Sequence, residues 1–139
     1  MAQGDPAGQY QAGMTSKATH CAGLESVHVQ PPNVAGRTYE VERRACHAAR
    51  PGFRIVEMQI GPTQTIPWHY HSEARDTFYV LSGSIRVRTR APRAEVILTP
   101  GESCAVPAGC PHSVENVGAT SAVFLILQGI GGHDFVPLP

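Results

Sequence analysis

The chain has 139 residues, a size that suits one domain and is short for two. Its 14 glycines, 12 prolines and 16 % charged residues exclude a helical bundle or coiled coil, and its 42 % hydrophobic content excludes wholesale disorder. Eleven basic residues balance eleven acidic ones, so no basic field exists to hold a nucleic-acid backbone.

Residues 1–22 are polar and Gly-rich without periodicity, and are expected to form a flexible N-terminal arm ahead of a folded domain over 23–139. Leu24–Val29 is a short alternating stretch, stopped by Pro31-Pro32-Asn33, and Thr38–Arg44 is again short and mixed. After the Pro51-Gly52 turn signal, Phe53–Ile60 alternates: Val56, Met58 and Ile60 share one face, and Phe53, Ile55, Glu57 and Gln59 the other. Further strands are expected at Trp68–His71, Thr77–Leu81, Ile85–Thr89, Val96–Leu98, Cys104–Val106, His112–Asn116 and Ala122–Gln128, each bounded by Gly, Pro or Ser. In Ile85–Thr89 the apolar residues alternate with Arg86, Arg88 and Arg90, which marks one wet face. Turn signals this regular, with no helical period of useful length, define an all-β sandwich or barrel.

The longest apolar run near the end, Val123–Leu127, is too short to span a membrane as a helix, so neither a membrane nor nucleic acid is expected as a partner. Cysteines at 21, 46, 104 and 110 form no C-x-x-C pair. With no export signal in the first twenty residues, reduced thiols and a cytoplasmic location are expected.

The chemistry concentrates in two segments. His69 and His71 stand at i and i+2, which on a strand places both imidazoles on one face, where they can grip one cation. Asp76 follows five residues later, at the head of the β-prone run ending at Gly83. A third histidine, His112, comes after the rigid Pro107-Ala108-Gly109-Cys110-Pro111 loop. Three neutral nitrogens and at most one carboxylate leave a divalent ion net positive, with coordination positions open to water or substrate.

These segments resemble the two motifs of the cupin superfamily. Gly101, Pro107, Gly109, His112 and Asn116 match the second motif at every position, and His69, His71 and Gly83 match the first. The resemblance implies a single cupin barrel, a double-stranded β-helix of jelly-roll type with six to eight strands, carrying its metal motifs at 61–83 and 101–116. It implies one divalent transition metal per chain (Zn, Fe, Mn or Ni) held by His69, His71, Asp76 and His112. It also implies a small organic molecule as partner and a homodimer. The function expected is a metal-dependent enzyme acting on a carbonyl- or enol-bearing substrate, either a dioxygenase or a non-redox cyclase, isomerase or lyase. The alternative is a non-catalytic ligand-binding or sensor cupin.

Two positions depart from the family pattern. The glycine that opens the first motif is replaced by Thr63, with Gly61 nearby, so the turn there is expected to be built differently. The usual glutamate ligand is the shorter Asp76, with Glu73 as a substitute candidate. Glu57, Gln59 and Tyr70 are weak candidates for catalytic groups, and Gln64 for a group supporting the ligands. Phe78, Val80, Val114 and Asn116 are expected to face inward as pocket wall or core. Cys110 is read as a space-filling thiol and His133-Asp134 as an ordinary tail.

Overall fold

The computed structural model describes residues 39–139, and residues 28–30 as backbone alone; the arm expected at 1–22 lies outside the described residues. Eleven strands follow in order: β1 (His28–Gln30), β2 (Arg43–Arg50), β3 (Phe53–Ile60), β4 (Thr65–Tyr70), β5 (Asp76–Ser82), β6 (Ile85–Arg90), β7 (Arg93–Leu98), β8 (Ser103–Val106), β9 (His112–Asn116), β10 (Ala122–Gly129) and β11 (Val136–Pro137). They form a six-stranded sheet, β1-β2-β3-β10-β5-β8, and a five-stranded sheet, β11-β4-β9-β6-β7, in which every pairing is antiparallel. The described residues contain no helix.

Alternation in sequence becomes inside and outside in the barrel. Val56, Met58 and Ile60 of β3 are buried, as are Ala122, Phe124 and Ile126 of β10 and Phe78 and Val80 of β5. Register aligns them in rows: Ile60 beside Ala122, Met58 beside Phe124 and Val80, Val56 beside Ile126 and Phe78. From the other sheet Ile66, Ile85, Val87 and Val114 join the same core. Burying each of these large side chains stabilises the fold by about 1.5–3 kcal/mol.

The tight turn between β5 and β6 needs Gly83. Its φ is +74°, and a Cβ there would lie 2.8 Å from Ala122 Cα. On the outer face of the five-stranded sheet Arg86 donates to Glu115 at 2.5 Å and Arg88 to Glu95 at 3.2 Å, which makes the arginine stripe a solvated sheet face.

Strands β3 and β9 coincide with the expected ones; the others have shifted bounds, β7 starting at Arg93 rather than Val96, and β2, β4 and β11 have reasons of their own. After the short mixed stretch Thr38–Arg44, a strand without a sequence signal of its own runs over Arg43–Arg50. A register shift between Cys46 and Ala48 breaks its alternation, and only Ala45 of it is buried. β4 starts three residues earlier than expected, because a bulge between Ile66 and His69 lets residues of opposite parity both face inward. The two-residue β11 carries no sequence signal of its own. The strand count therefore exceeds the six to eight expected, the extra strands being short or at sheet edges.

Candidate metal centre

His69, His71, Asp76 and His112 come together inside one end of the barrel, each 3 % exposed or less. One donor atom from each lies within 4.8 Å of those of the other three. His69 on β4 stands directly opposite His112 on β9, so the cross-strand pair brings two rings side by side. Asp76 reaches them from the other sheet despite its short side chain. Its Oδ2 is 2.9 Å from His71 Nε2 and 3.2 Å from His112 Nε2.

All three histidines direct Nδ1 at a backbone carbonyl: His69 at Pro67 (2.7 Å), His112 at Cys110 (2.9 Å) and His71 at Asp134. A carbonyl only accepts, so each Nδ1 carries the proton and donates. Each Nε2 is then left with a lone pair, the tautomer a metal-ligating imidazole needs, and the carbonyls fix the ring orientations. The contact of Oδ2 with the Nε2 atoms of His71 and His112 then sets acceptor against acceptor. It becomes favourable when a cation, a proton or a metal ion, sits between them. The donor set thus fits a divalent transition metal of borderline softness.

Electrostatics hold His69 and Asp76 deprotonated. Burial, then the charge of His112, pushes the His69 imidazole down to about 4. Burial alone would raise the Asp76 carboxyl, but contacts from His112, His71 and Gln128 outweigh it and hold the group well below the usual range. His71 shifts upward, because contact with Asp76 and the Asp134 carbonyl exceeds the penalty of its burial.

Behind Asp76 runs a row of polar groups not anticipated from the sequence. Gln128 Nε2 donates to Asp76 Oδ1 at 2.9 Å, and Arg54 Nε donates to Gln128 Oε1 at 2.5 Å. Arg54, Gln128 and Asp76 are direct cross-strand neighbours on β3, β10 and β5. The signal was present: Arg54 has the parity of Val56 and Met58, and Gln128 that of Phe124 and Ile126.

The C-terminal segment, expected to be an ordinary tail, lies against the cluster. Phe135 stacks on His69 with ring centroids 4.3 Å apart, and His133 lies 5.2 Å from the His71 ring. The Asp134 carboxylate accepts from the Ser72 backbone (2.8 Å) and hydroxyl (2.6 Å). Gly131 permits this approach: at φ +144° its Cβ would lie 2.6 Å from the Glu73 carbonyl oxygen.

The weaker candidates fall elsewhere. Glu57 and Gln59 occupy the outer face of β3, where Glu57 pairs with Arg43 and His47 (2.8 Å) and Gln59 donates to Glu42 (2.7 Å). Strand parity turns them away from the cluster. Tyr70 alternates with His69 and His71, is half-buried, and does not line the cavity beside them. Gln64 accepts from the Gly61 backbone (2.9 Å) and closes the turn in which Thr63 replaces the family glycine. Exposed Glu73 accepts from Gly132, so Asp76 is the carboxylate of the cluster. Asn116 bonds Ile60, Thr120 and Gly118 and closes the β9–β10 turn at the far end. Phe78 and Val114 line the cavity, whereas Val80 lies in the core. Cys110 is a buried thiol, and Cys46 and Cys104 are also unbridged.

The cluster opens into a cavity of about 390 Å³, within the range of small-ligand sites. Its remaining wall is largely apolar, with Met58, Ile66, Ile126 and Phe135 among the lining residues. Two facing antiparallel sheets with three histidines and a carboxylate inside one end define a small double-stranded β-helix protein whose buried cluster could hold a metal ion.

Comparison with known proteins supplies the family. Residues 56–127 match Cupin_2, the cupin domain, over more than half of the chain, and the chain belongs to that family. Among solved structures it is similar to a Klebsiella pneumoniae protein with a double-stranded β-helix domain (21 % identity, TM-score 0.60, covering 69 % of this chain and 84 % of that one). It is also similar to KdgF from Halomonas sp. (18 %, 0.58, 64 % and 78 %) and to oxalate decarboxylase from Bacillus subtilis (20 %, 0.65, 78 % and 30 %). At these identities the likeness is one of fold, and the chain spans under a third of the decarboxylase. No curated protein gives a significant match.

Proposed function

We propose that this cupin is a metal-dependent enzyme that binds one divalent transition metal (Zn, Fe, Mn or Ni) through His69, His71, Asp76 and His112. In this reading it acts on a small carbonyl- or enol-bearing organic molecule held in the adjoining cavity. The observation that carries the reading is the common orientation of the three imidazoles. Each spends Nδ1–H on a backbone carbonyl, His71 and His112 turn Nε2 toward the Asp76 carboxylate, and His69 has a donor atom within 4.8 Å of theirs. An ion there supplies Lewis acidity toward a carbonyl or enol oxygen, or a bound water of lowered pKa. The chain's own part is to orient the three imidazoles through their backbone carbonyls, to hold His69 and Asp76 deprotonated, and to stack Phe135 over His69. Support of a coarser kind comes from fold relatives, which include an oxalate oxidase and an oxalate decarboxylase with Mn(II) centres. The cytoplasmic location and the homodimer expected from the sequence belong to the same proposal, and sedimentation tests the dimer.

Metal analysis of protein purified without an affinity tag tests the site. About one ion per chain is expected in the wild type and background content in the His69→Ala/His112→Ala double variant. Background metal in the wild type, or unchanged content in the double variant, rejects the reading. Oxygen uptake by the Fe(II)-loaded protein across β-diketones, catechols and thiols separates oxygenase from non-redox chemistry.

A further inference from the structure

The outward faces of the two sheets are built unlike each other. On the five-stranded sheet Arg86, Arg88, Glu95 and Glu115 form an ionic network, the usual surface of a sheet that meets water. On the six-stranded sheet the register carries an outward row of Ala105, Thr77, Leu127, Ile55 and Ala48, five strands wide and without a charge. The row beside it holds Ser103, Tyr79, Leu125 and Glu57, and its one charge, Glu57, is paired with Arg43 on β2. Phe53, Tyr79 and Leu81 are left 39 %, 40 % and 43 % exposed.

Burial of apolar surface drives association, and an apolar patch larger than a few hundred Å² on a protein's exterior marks a contact surface. Strands β3 and β10 are each eight residues long. Five strands about 4.8 Å apart, rising about 3.4 Å per residue, give a face of roughly 24 by 27 Å, about 650 Å² before side-chain relief is counted. A stable dimer buries about 800 Å² on each partner, so the face is of the size required. The chain's own N-terminal segment is a poor cover for it. Residues 1–27, which precede the edge strand β1, hold one leucine, one valine and no isoleucine, phenylalanine or tryptophan. A second copy presents the same apolar face, and two such faces related by a two-fold axis bury each other.

We propose that the outer face of the six-stranded sheet, centred on Leu125 and Leu127 of β10, binds a second copy of this chain face to face. The partner rests on the homodimer proposed above; the choice of face rests on register and exposure.

Sedimentation equilibrium of the full chain, from low to high micromolar concentration, tests this. The wild type is expected at twice the chain mass. Tyr79→Lys and Leu81→Glu place charges in the contact at exposed positions that the barrel itself tolerates. Each is expected to weaken the dimer by roughly 100-fold, as a desolvated, unmatched charge at an interface does. Ile97→Lys, at an exposed apolar residue on β7 of the other sheet, is expected to leave the dimer intact. Hydroxyl-radical footprinting of the wild type needs no substitution: Phe53, Tyr79 and Leu81 should be protected in the dimer relative to dilute, dissociated protein, and Ile97 should not. A dimer indifferent to both charged variants, with no protection at Tyr79 and Leu81, overturns the choice of face and leaves the homodimer standing. Dissociation by Ile97→Lys alone moves the contact to the other sheet and overturns it equally. A wild type that stays monomeric throughout overturns the face and the homodimer together.

Discussion

The two ends of the barrel interior are built from the same strands in the same register, yet they differ in kind. At one end Ile60, Ala122, Phe124 and Val80 pack as a dry core, each 1 % exposed or less. Two rows further along β3, β10 and β5, the same inward positions become Arg54, Gln128 and Asp76, and the opposing sheet supplies three histidines. The apolar end sets the spacing of the strands. The polar end uses that spacing to hold groups that would be costly to bury without partners. Each of them has one: Asp76 has Gln128, and each histidine has a carbonyl.

The largest expected effect falls at the dry end. Phe124→Ala removes a fully buried ring and should cost about 3–5 kcal/mol in urea denaturation. Fraction for fraction of folded protein, its metal content should stay at the wild-type level; a specific loss of metal would show that the two ends are not separable in this way.

At the polar end, Gln128→Ala should leave the fold intact while weakening metal affinity by roughly 10- to 100-fold, as removal of a partner that orients a ligand does. Competition with a fluorescent chelator reads this, and an unchanged affinity would mean that Asp76 holds its orientation without Gln128.

The ends should also part with pH. His69 and His133 titrate near 4 in the folded protein and near 6.5 unfolded. The unfolded chain therefore binds more protons between those values, and the metal-free protein should lose stability as pH falls from 6.5 to 4. His71, shifted upward, acts outside this window: its contribution is complete below 6.5 and fades as pH rises through its folded value. Thermal melts across the window should show a net fall in Tm, shallower in His133→Gln. A flat profile would contradict the burial argument for both rings.

The smallest effect is expected outside the barrel. Glu57→Gln breaks a partly exposed pairing with Arg43 and His47 and should cost no more than about 1 kcal/mol, with metal content unchanged. A large loss of metal there would restore Glu57 as a candidate for the site.

Much of the barrel was legible because alternation has period two, and a strand with one buried face displays it directly. Phe53–Ile60 and His112–Asn116 were readable to the residue for this reason. Legibility failed where a bulge changed parity, at Pro67 in β4 and at His47 in β2, and where the partner was remote, as for β11. For the site, the motif spacing carried His69, His71, Asp76 and His112. Glu57 and Gln59 are suggestive by residue type, but their parity turns them outward, whereas the parity of Arg54 and Gln128 places them inside.

The sequence by itself determined an all-β chain, the four residues of the cluster and the turns that aim them, since these depend on local alternation and on Gly and Pro at fixed offsets. Only the tertiary structure decided that Asp76 reaches the histidines, that Gln128 and Arg54 stand in line behind it, and that the C-terminal segment covers His69 and His71. Those contacts join residues far apart in the chain, such as Gln128 with Asp76 and Asp134 with His71. Strand register and sheet-to-sheet packing set them, and no local pattern encodes either.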